Sequence, residues 1–219
     1  MQNTHHDQAP PVAGALSLNS DEAALRNYYR DWAATFDADV AAEGYHAPAI
    51  LAGWLAALCP GYGLGAPDKL TVLDAGCGTG LLGRALGRVG MTDIVGVDIS
   101  QAMVDRARDI PAYGHLAGDI DLNQPLPGDL AGPFDVTLAA GVFTQGHVPP
   151  VGLDHLAQVT RPGGLLIISV RDGYRAQYDL EAHLARAAEA GRYDIVARLD
   201  DAAYVGPDNA DYLALRIGQ

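Results

Sequence analysis

The stretch LTVLDAGCGTG at residues 70–80 constrains the fold more than any other. An apolar β-like segment runs into Asp74. Gly76, Gly78 and Gly80 follow at alternate positions, and Leu81-Leu82 then opens a helical pattern. Glycine admits positive φ and lets the backbone approach a ligand closely. The first N–H groups of the helix behind it lack intrahelical partners and suit an acceptor or anionic group. A single glycine pair would read as an ordinary tight turn. Three glycines between a strand and a helix point to a ligand cradle, set beyond the carboxyl ends of parallel strands.

The rest of the chain from residue 70 agrees with that setting. Short apolar runs at 70–74, 93–98, 113–117, 134–140 and 164–170 alternate with helix-like segments at 80–89, 101–109 and 150–160. Such alternation implies parallel strands joined by right-handed crossovers. The end of the chain reads differently. A helix at 179–190 stops at Gly191, and strands near 193–199 and 211–217 are close enough in sequence to form an antiparallel pair at one sheet edge.

Before residue 70 the pattern is helical. Residues 1–18 are polar and aperiodic and read as a flexible tail. Asn19 or Ser20 is the expected cap of a first helix, with Asp21 and Glu22 in its first turn. Leu25, Tyr28, Tyr29 and Trp32 fall on one face of it. A second helix is expected from about Pro48, with Ile50, Leu51, Trp54, Leu55 and Leu58 as its stripe and Pro60-Gly61 as its end. The expected organisation is a single domain over 19–219, with a helical cap at 19–60 and a core at 69–219.

Two more acids stand at strand ends. Asp98 closes the second strand, 20 residues after Gly78, where a carboxylate can accept both hydroxyls of a ribose. Asp119, in Gly118-Asp119-Ile120, follows the third and suits an adenine amino group. Gly78, Gly80 and Gly83 also satisfy GxGxxG, so an NAD-dependent oxidoreductase fits the bare pattern. Asp74 argues against it, because a carboxylate at the turn disfavours a pyrophosphate.

The net charge of −13 and the single lysine, Lys69, oppose a phosphate backbone as partner. No apolar run reaches membrane-span length, and the N-terminus has no secretory pattern, so no membrane or nucleic-acid partner and a cytoplasmic setting are expected. Cys59 and Cys77 show neither disulfide nor zinc spacing, and no metal is expected.

Taken together, these motifs resemble those of class I S-adenosylmethionine (SAM)-dependent methyltransferases. VLDAGCGTG (72–80) is similar to the first motif, GVDIS (96–100) followed by Met103 to the second, and GDI (118–120) and FDVTLAAGVF (134–143) to the next two. RPGGLLIIS (161–169) is similar to the approach to the fifth strand. The flanks DWAATFDADV (31–40), Tyr45, Pro48 and GVFTQGHVPP (141–150) resemble the Williams–Beuren-region methyltransferase-like proteins. Phe36 stands where that family often has Tyr, so no polar role is assigned to it.

The resemblance implies a doubly wound α/β fold, a seven-stranded Rossmann-like sheet of order 3-2-1-4-5-7-6 with only the last strand antiparallel, and SAM as cofactor. It implies that Gly76, Gly78 and Gly80 line the methionine part with Asp74 near its amino group, and that Asp98 holds the ribose. Ile99 and Met103 would flank the adenine, Asp119 and Ile120 would complete its pocket, and Ala140 would sit near the methionine.

Methyl transfer needs alignment and exclusion of water, and a base only where the acceptor is protonated. His147, in the loop after the fourth strand, is the candidate base, with capping of the next helix or orientation of the loop as its structural alternative. Tyr29, Trp32 and Tyr45 are candidates for a lid over the substrate, against simple packing of an amphipathic helix. Arg171 is placed to steer an anionic substrate or to form a surface ion pair. The expected activity is methyl transfer to a small molecule, the alternative being a non-catalytic SAM-binding or scaffolding module.

Overall fold

The computed structural model describes residue 14, residues 21–130 and residues 132–219. The expected caps Asn19 and Ser20, and all of the expected tail except residue 14, lie outside the described residues. Helix α1 (Glu22–Trp32) is capped by Asp21, whose carboxylate accepts the Ala24 N–H at 2.9 Å. Asp21 is thus the cap and not a first-turn residue.

A short helix α2 (Phe36–Ala42), not anticipated from the sequence, follows, and then α3 (Ala47–Tyr62). Pro48 sits in the first turn of α3 as expected, but Pro60-Gly61 does not end it. Pro60 removes only one intrahelical bond. The last turn is held by buried Cys59, whose carbonyl accepts the N–H of left-handed Gly63. That geometry is the usual glycine stop.

The sheet comprises β1 (Val72–Ala75), β2 (Ile94–Val97), β3 (Tyr113–Ala117), β4 (Phe134–Phe143), β5 (Thr160–Val170), β6 (Tyr193–Val205) and β7 (Asp208–Ile217), in the order β3-β2-β1-β4-β5-β7-β6. β7 is antiparallel to both of its neighbours, and the β1–β2, β1–β4, β2–β3 and β4–β5 pairings are parallel. The last two strands run longer than the apolar pattern marks, because β6 is an edge whose middle faces solvent and carries Asp200 and Asp201.

Alternation along the strands divides the core between the two faces of the sheet. Val72, Ile94, Val136, Leu138, Leu165 and Ile167 pack with α3 and α4 (Leu81–Arg88). Leu73, Val97, Ala139, Leu166 and Ile168 pack on the other face, against α6 (Val151–Val159), α7 (Asp172–Gln177) and α8 (Leu180–Glu189). Helix α5 (Gln101–Ala107) links β2 to β3. The three-layer α/β/α result is the doubly wound fold expected. No described helix is long and apolar enough to cross a membrane.

Candidate functional site

The glycine turn leaves β1 and is tied to the end of β2. Gly76 and Cys77 both donate N–H groups to the Val97 carbonyl, at 2.8 and 2.9 Å. Gly78 donates to Asp98 Oδ2 at 2.8 Å. Two of the glycines do different work. Gly78, at φ 53°, has no atom within 4 Å of where a Cβ would stand, and it lines an open cavity. Gly80, at φ 88°, lies off that cavity; a Cβ there would overlap Ile110 and press on Ala107 and Tyr113. Gly78 keeps room for a ligand, whereas Gly80 lets α4 pack against its neighbours.

The three acids also part company. Asp98 is almost wholly buried and lines the cavity. Its Oδ1 accepts the Ser100 N–H at 2.9 Å, and burial pushes its carboxyl up to about 6 despite these N–H donors. Asp74 does not reach the cavity. It lies completely buried beneath the turn, where Tyr113 donates its hydroxyl to Oδ2 at 2.6 Å and Oδ1 has no partner. Burial pushes it to about 7.

Asp119, in the left-handed region at φ 59°, pairs with Arg26 of α1 and does not line the cavity, while Ile120, Asp121, Leu122 and Asn123 do. The last three of these were not singled out from the sequence, because the positive φ at Asp119 re-aims the chain after β3.

The cavity opens to solvent and, with that open space included, encloses about 1070 Å³. Gly76, Gly78, Asp98, Ile99, Met103 and Ala140 form its sheet side. Leu25, Tyr29, Trp32, Phe36, Val40 and Tyr45 face them from α1, α2 and the segment after them. Trp32 is fixed by its ring N–H on Asp39 at 2.7 Å and by the Phe36 ring, whose centroid is 4.7 Å away. Arg26 ties α1 to the core through the Ile99 carbonyl at 2.8 Å, and Asp37 of α2 accepts from Thr79 in the glycine turn. Tyr45 pairs with Val205 at the end of β6.

His147 and Tyr29 meet on the cavity wall, Nε2 to hydroxyl at 2.7 Å. His147 Nδ1 is 3.0 Å from the Gln145 carbonyl, which can only accept, so Nδ1 carries the proton and Nε2 accepts from Tyr29. Burial lowers the imidazole's affinity for a proton, the Gln145 carbonyl partly opposes this, and Arg171 adds to it. Burial thus favours the neutral ring, whose basic Nε2 is engaged by the Tyr29 hydroxyl. Nothing in the sequence pairs Tyr29 with His147, 118 residues apart.

Arg171 also lines the cavity, its guanidinium 5.2 Å from the centre of the Tyr204 ring and its Nη2 2.5 Å from Asp208. The ion-pair alternative for Arg171 is thus observed, at a residue that also lines the cavity. Cys59 and Cys77 are free and buried. Among the described residues no cluster of His, Cys, Asp and Glu could hold a metal ion.

These features suit an adenosine-bearing ligand. A cradle open at Gly78 adjoins the buried Asp98 carboxylate, and a carboxylate so placed gains from hydroxyl donors.

Comparison with known proteins follows the same line. Residues 45–199 match a family model described as a methyltransferase domain. The chain is similar to Methyltransferase-like protein 27 of Homo sapiens, with 34% identity over 177 residues, covering 80% of this chain and 70% of the relative. It is similar to the ubiquinone biosynthesis O-methyltransferase of Bradyrhizobium diazoefficiens, with 38% identity over 46% of this chain and only 39% of that relative's length. Among solved structures it resembles the magnesium protoporphyrin IX methyltransferase of Synechocystis PCC 6803 with bound SAH, at a TM-score of 0.65 and 20% identity over 90% of this chain and 100% of the other.

Proposed function

The chain belongs to the methyltransferase-domain family, and from that premise we propose that this class I SAM-dependent methyltransferase acts on a small-molecule acceptor. The observation that carries the proposal is the facing of the glycine turn and Asp98, across one cavity, by an aromatic roof from residues 22–46. That roof leaves room for an acceptor of limited size beside the cofactor. The net charge of −13 disfavours a nucleic-acid acceptor. The names of the two relatives that act in ubiquinone and magnesium protoporphyrin IX chemistry accord with a small acceptor.

When bound, SAM supplies an electrophilic methyl group on a sulfonium, and transfer is an in-line displacement. In our reading Asp98 accepts the ribose hydroxyls, Ile99, Met103 and Ile120 enclose the adenine, and Gly76, Gly78 and Ala140 leave space for the methionine. Asp121 and Asn123 replace Asp119 at the adenine end. Asp74 acts from beneath, bracing the turn through Tyr113. Tyr29, Trp32 and Tyr45 exclude water and offer aromatic faces to a cation. His147 Nε2 takes the acceptor's proton, directly or through the Tyr29 hydroxyl, and its Nδ1–H on Gln145 holds the ring in place.

The test is calorimetry with SAM, with its demethylated product SAH and with NAD, followed by transfer of labelled methyl from SAM to a small-molecule panel. Binding of SAM and SAH with labelled product is expected. Binding of NAD alone would sink the cofactor reading. Tight SAM binding with no transfer to any panel member would favour the non-catalytic module.

A further inference from the structure

The cavity lining holds charges of both signs, Asp98 and Asp121 on the one hand and Arg171 on the other. Arg171 lies beside Tyr204 and acts electrostatically on His147, and Thr144 and Tyr45 line the same cavity. Thr144 is 95% buried and, among the described residues, its hydroxyl has no hydrogen-bond partner. A buried hydroxyl left unpaired costs free energy unless something else satisfies it.

Arg171 has only one hydrogen bond to protein among the described residues, from Nη2 to Asp208. Asp208 is half-exposed and screened by water, whereas the Arg171 side chain is largely enclosed. The guanidinium fork therefore keeps N–H donors for a second planar acceptor. Arg171 and Thr144 also line a second, more polar cavity, bounded by Gln145, Asp172, Asp201 and Asn209. Asp172, Asp201 and Asp208 line that second cavity and not the first, so they oppose an anion on their own side more than on the first cavity's side.

We infer that Arg171 and Thr144 form a carboxylate-binding subsite, and that the acceptor is an apolar molecule carrying a carboxylate that anchors it there. The inference rests on the proposed methyltransferase reading and names the acceptor's class. The apolar walls at Phe36, Val40, Val142 and Val205 take the body of the molecule. The anchored carboxylate sets which other atom of the acceptor faces the methyl group.

The test uses the full chain saturated with SAH. Benzoate, phenylacetate, octanoate and the neutral benzamide are titrated by calorimetry. At least one carboxylate should bind at about 1 mM or tighter, and about tenfold tighter than benzamide. Arg171→Gln should abolish that preference, Arg171→Lys should keep part of it, and Thr144→Val should weaken carboxylate binding several-fold, all with SAH affinity unchanged. SAH-loaded wild type that binds no carboxylate at about 10 mM overturns the subsite and leaves the methyltransferase reading intact. So does an Arg171→Gln protein that binds the carboxylate as well as wild type. Wild type that binds neither SAH nor SAM overturns both.

Discussion

Replacing Asp98 by Asn separates what the carboxylate does for the ligand from what it does for the fold. In the ligand-free protein burial raises this carboxyl from 3.8 to about 6. At pH 8 it is ionised against that burial, at a cost of about 3 kcal/mol for a shift of roughly two units. Asparagine removes the cost. Its oxygen satisfies one of the two N–H donors, Gly78 or Ser100, and leaves the other facing an amide NH₂, a loss of about 1.5–3 kcal/mol.

The two effects nearly cancel, so ligand-free stability should change by no more than about 1 kcal/mol, or about 2–4 °C in Tm for a chain of this size. No such cancellation protects binding. Losing charge-assisted bonds to the ribose hydroxyls costs about 1.5–3 kcal/mol, or about 10- to 150-fold in SAH affinity. Calorimetry with SAH and thermal melts at pH 8 read both quantities. SAH affinity within about threefold of wild type would refute the ribose assignment. A fall in Tm beyond about 10 °C would show that the clamp on the turn dominates.

Gly78→Ala and Gly80→Ala should fail differently: Gly78→Ala costs only about 1–2 kcal/mol of left-handed strain but weakens SAH binding at least tenfold by calorimetry, whereas Gly80→Ala adds overpacking of about 1–3 kcal/mol to the same strain and shows it in urea melts. Tyr113→Phe strips Asp74 of its hydroxyl donor, so its carboxyl rises further above about 7. A folded-state carboxyl raised in this way contributes stability at low pH that is lost as pH climbs through its folded value. The variant should therefore lose about 2–3 kcal/mol at pH 8 but only about 1 kcal/mol at pH 5 in denaturant titrations, and equal losses would contradict the pairing. Because ribose hydroxyls favour ionised Asp98, SAH affinity should be level above pH 7 and fall toward about tenfold per unit below about 6; a flat profile from pH 5 to 8 would exclude Asp98 as the ribose partner.

Much of this molecule can be read from local pattern. The strand–glycine–helix junction at 70–82, the acid 20 residues beyond Gly78 and the apolar runs in between imply the parallel sheet, because each rests on short-range chemistry. The strand order is implied only by the family resemblance, whereas the antiparallel edge pair also follows from the short connection between the last two strands. Boundaries slipped where tertiary contacts outweighed local signals. Cys59 and Gly63 carried α3 past Pro60, and the edge strand β6 kept its pairing through an acidic, solvent-facing middle.

In the site, residue type alone does not say which of the three acids lines the cavity. Asp74 turns under the sheet to Tyr113, and Asp119 pairs with Arg26, since both directions depend on backbone geometry and on partners distant in sequence. The Tyr29–His147 contact and the unpaired Thr144 hydroxyl were hidden for the same reason.

The stitch between Tyr45 and Val205, reinforced by the His46 N–H on the Tyr204 carbonyl at 2.7 Å, has a mechanical consequence. One margin of the roof is sewn to the outermost strand, while the other rests on the β2 side through the Arg26 guanidinium at Ile99 and Asp119. A main-chain seam resists peeling more than an exposed ion pair does. The Arg26 side is therefore the weaker margin of the roof, and residues 44–46 the stronger one.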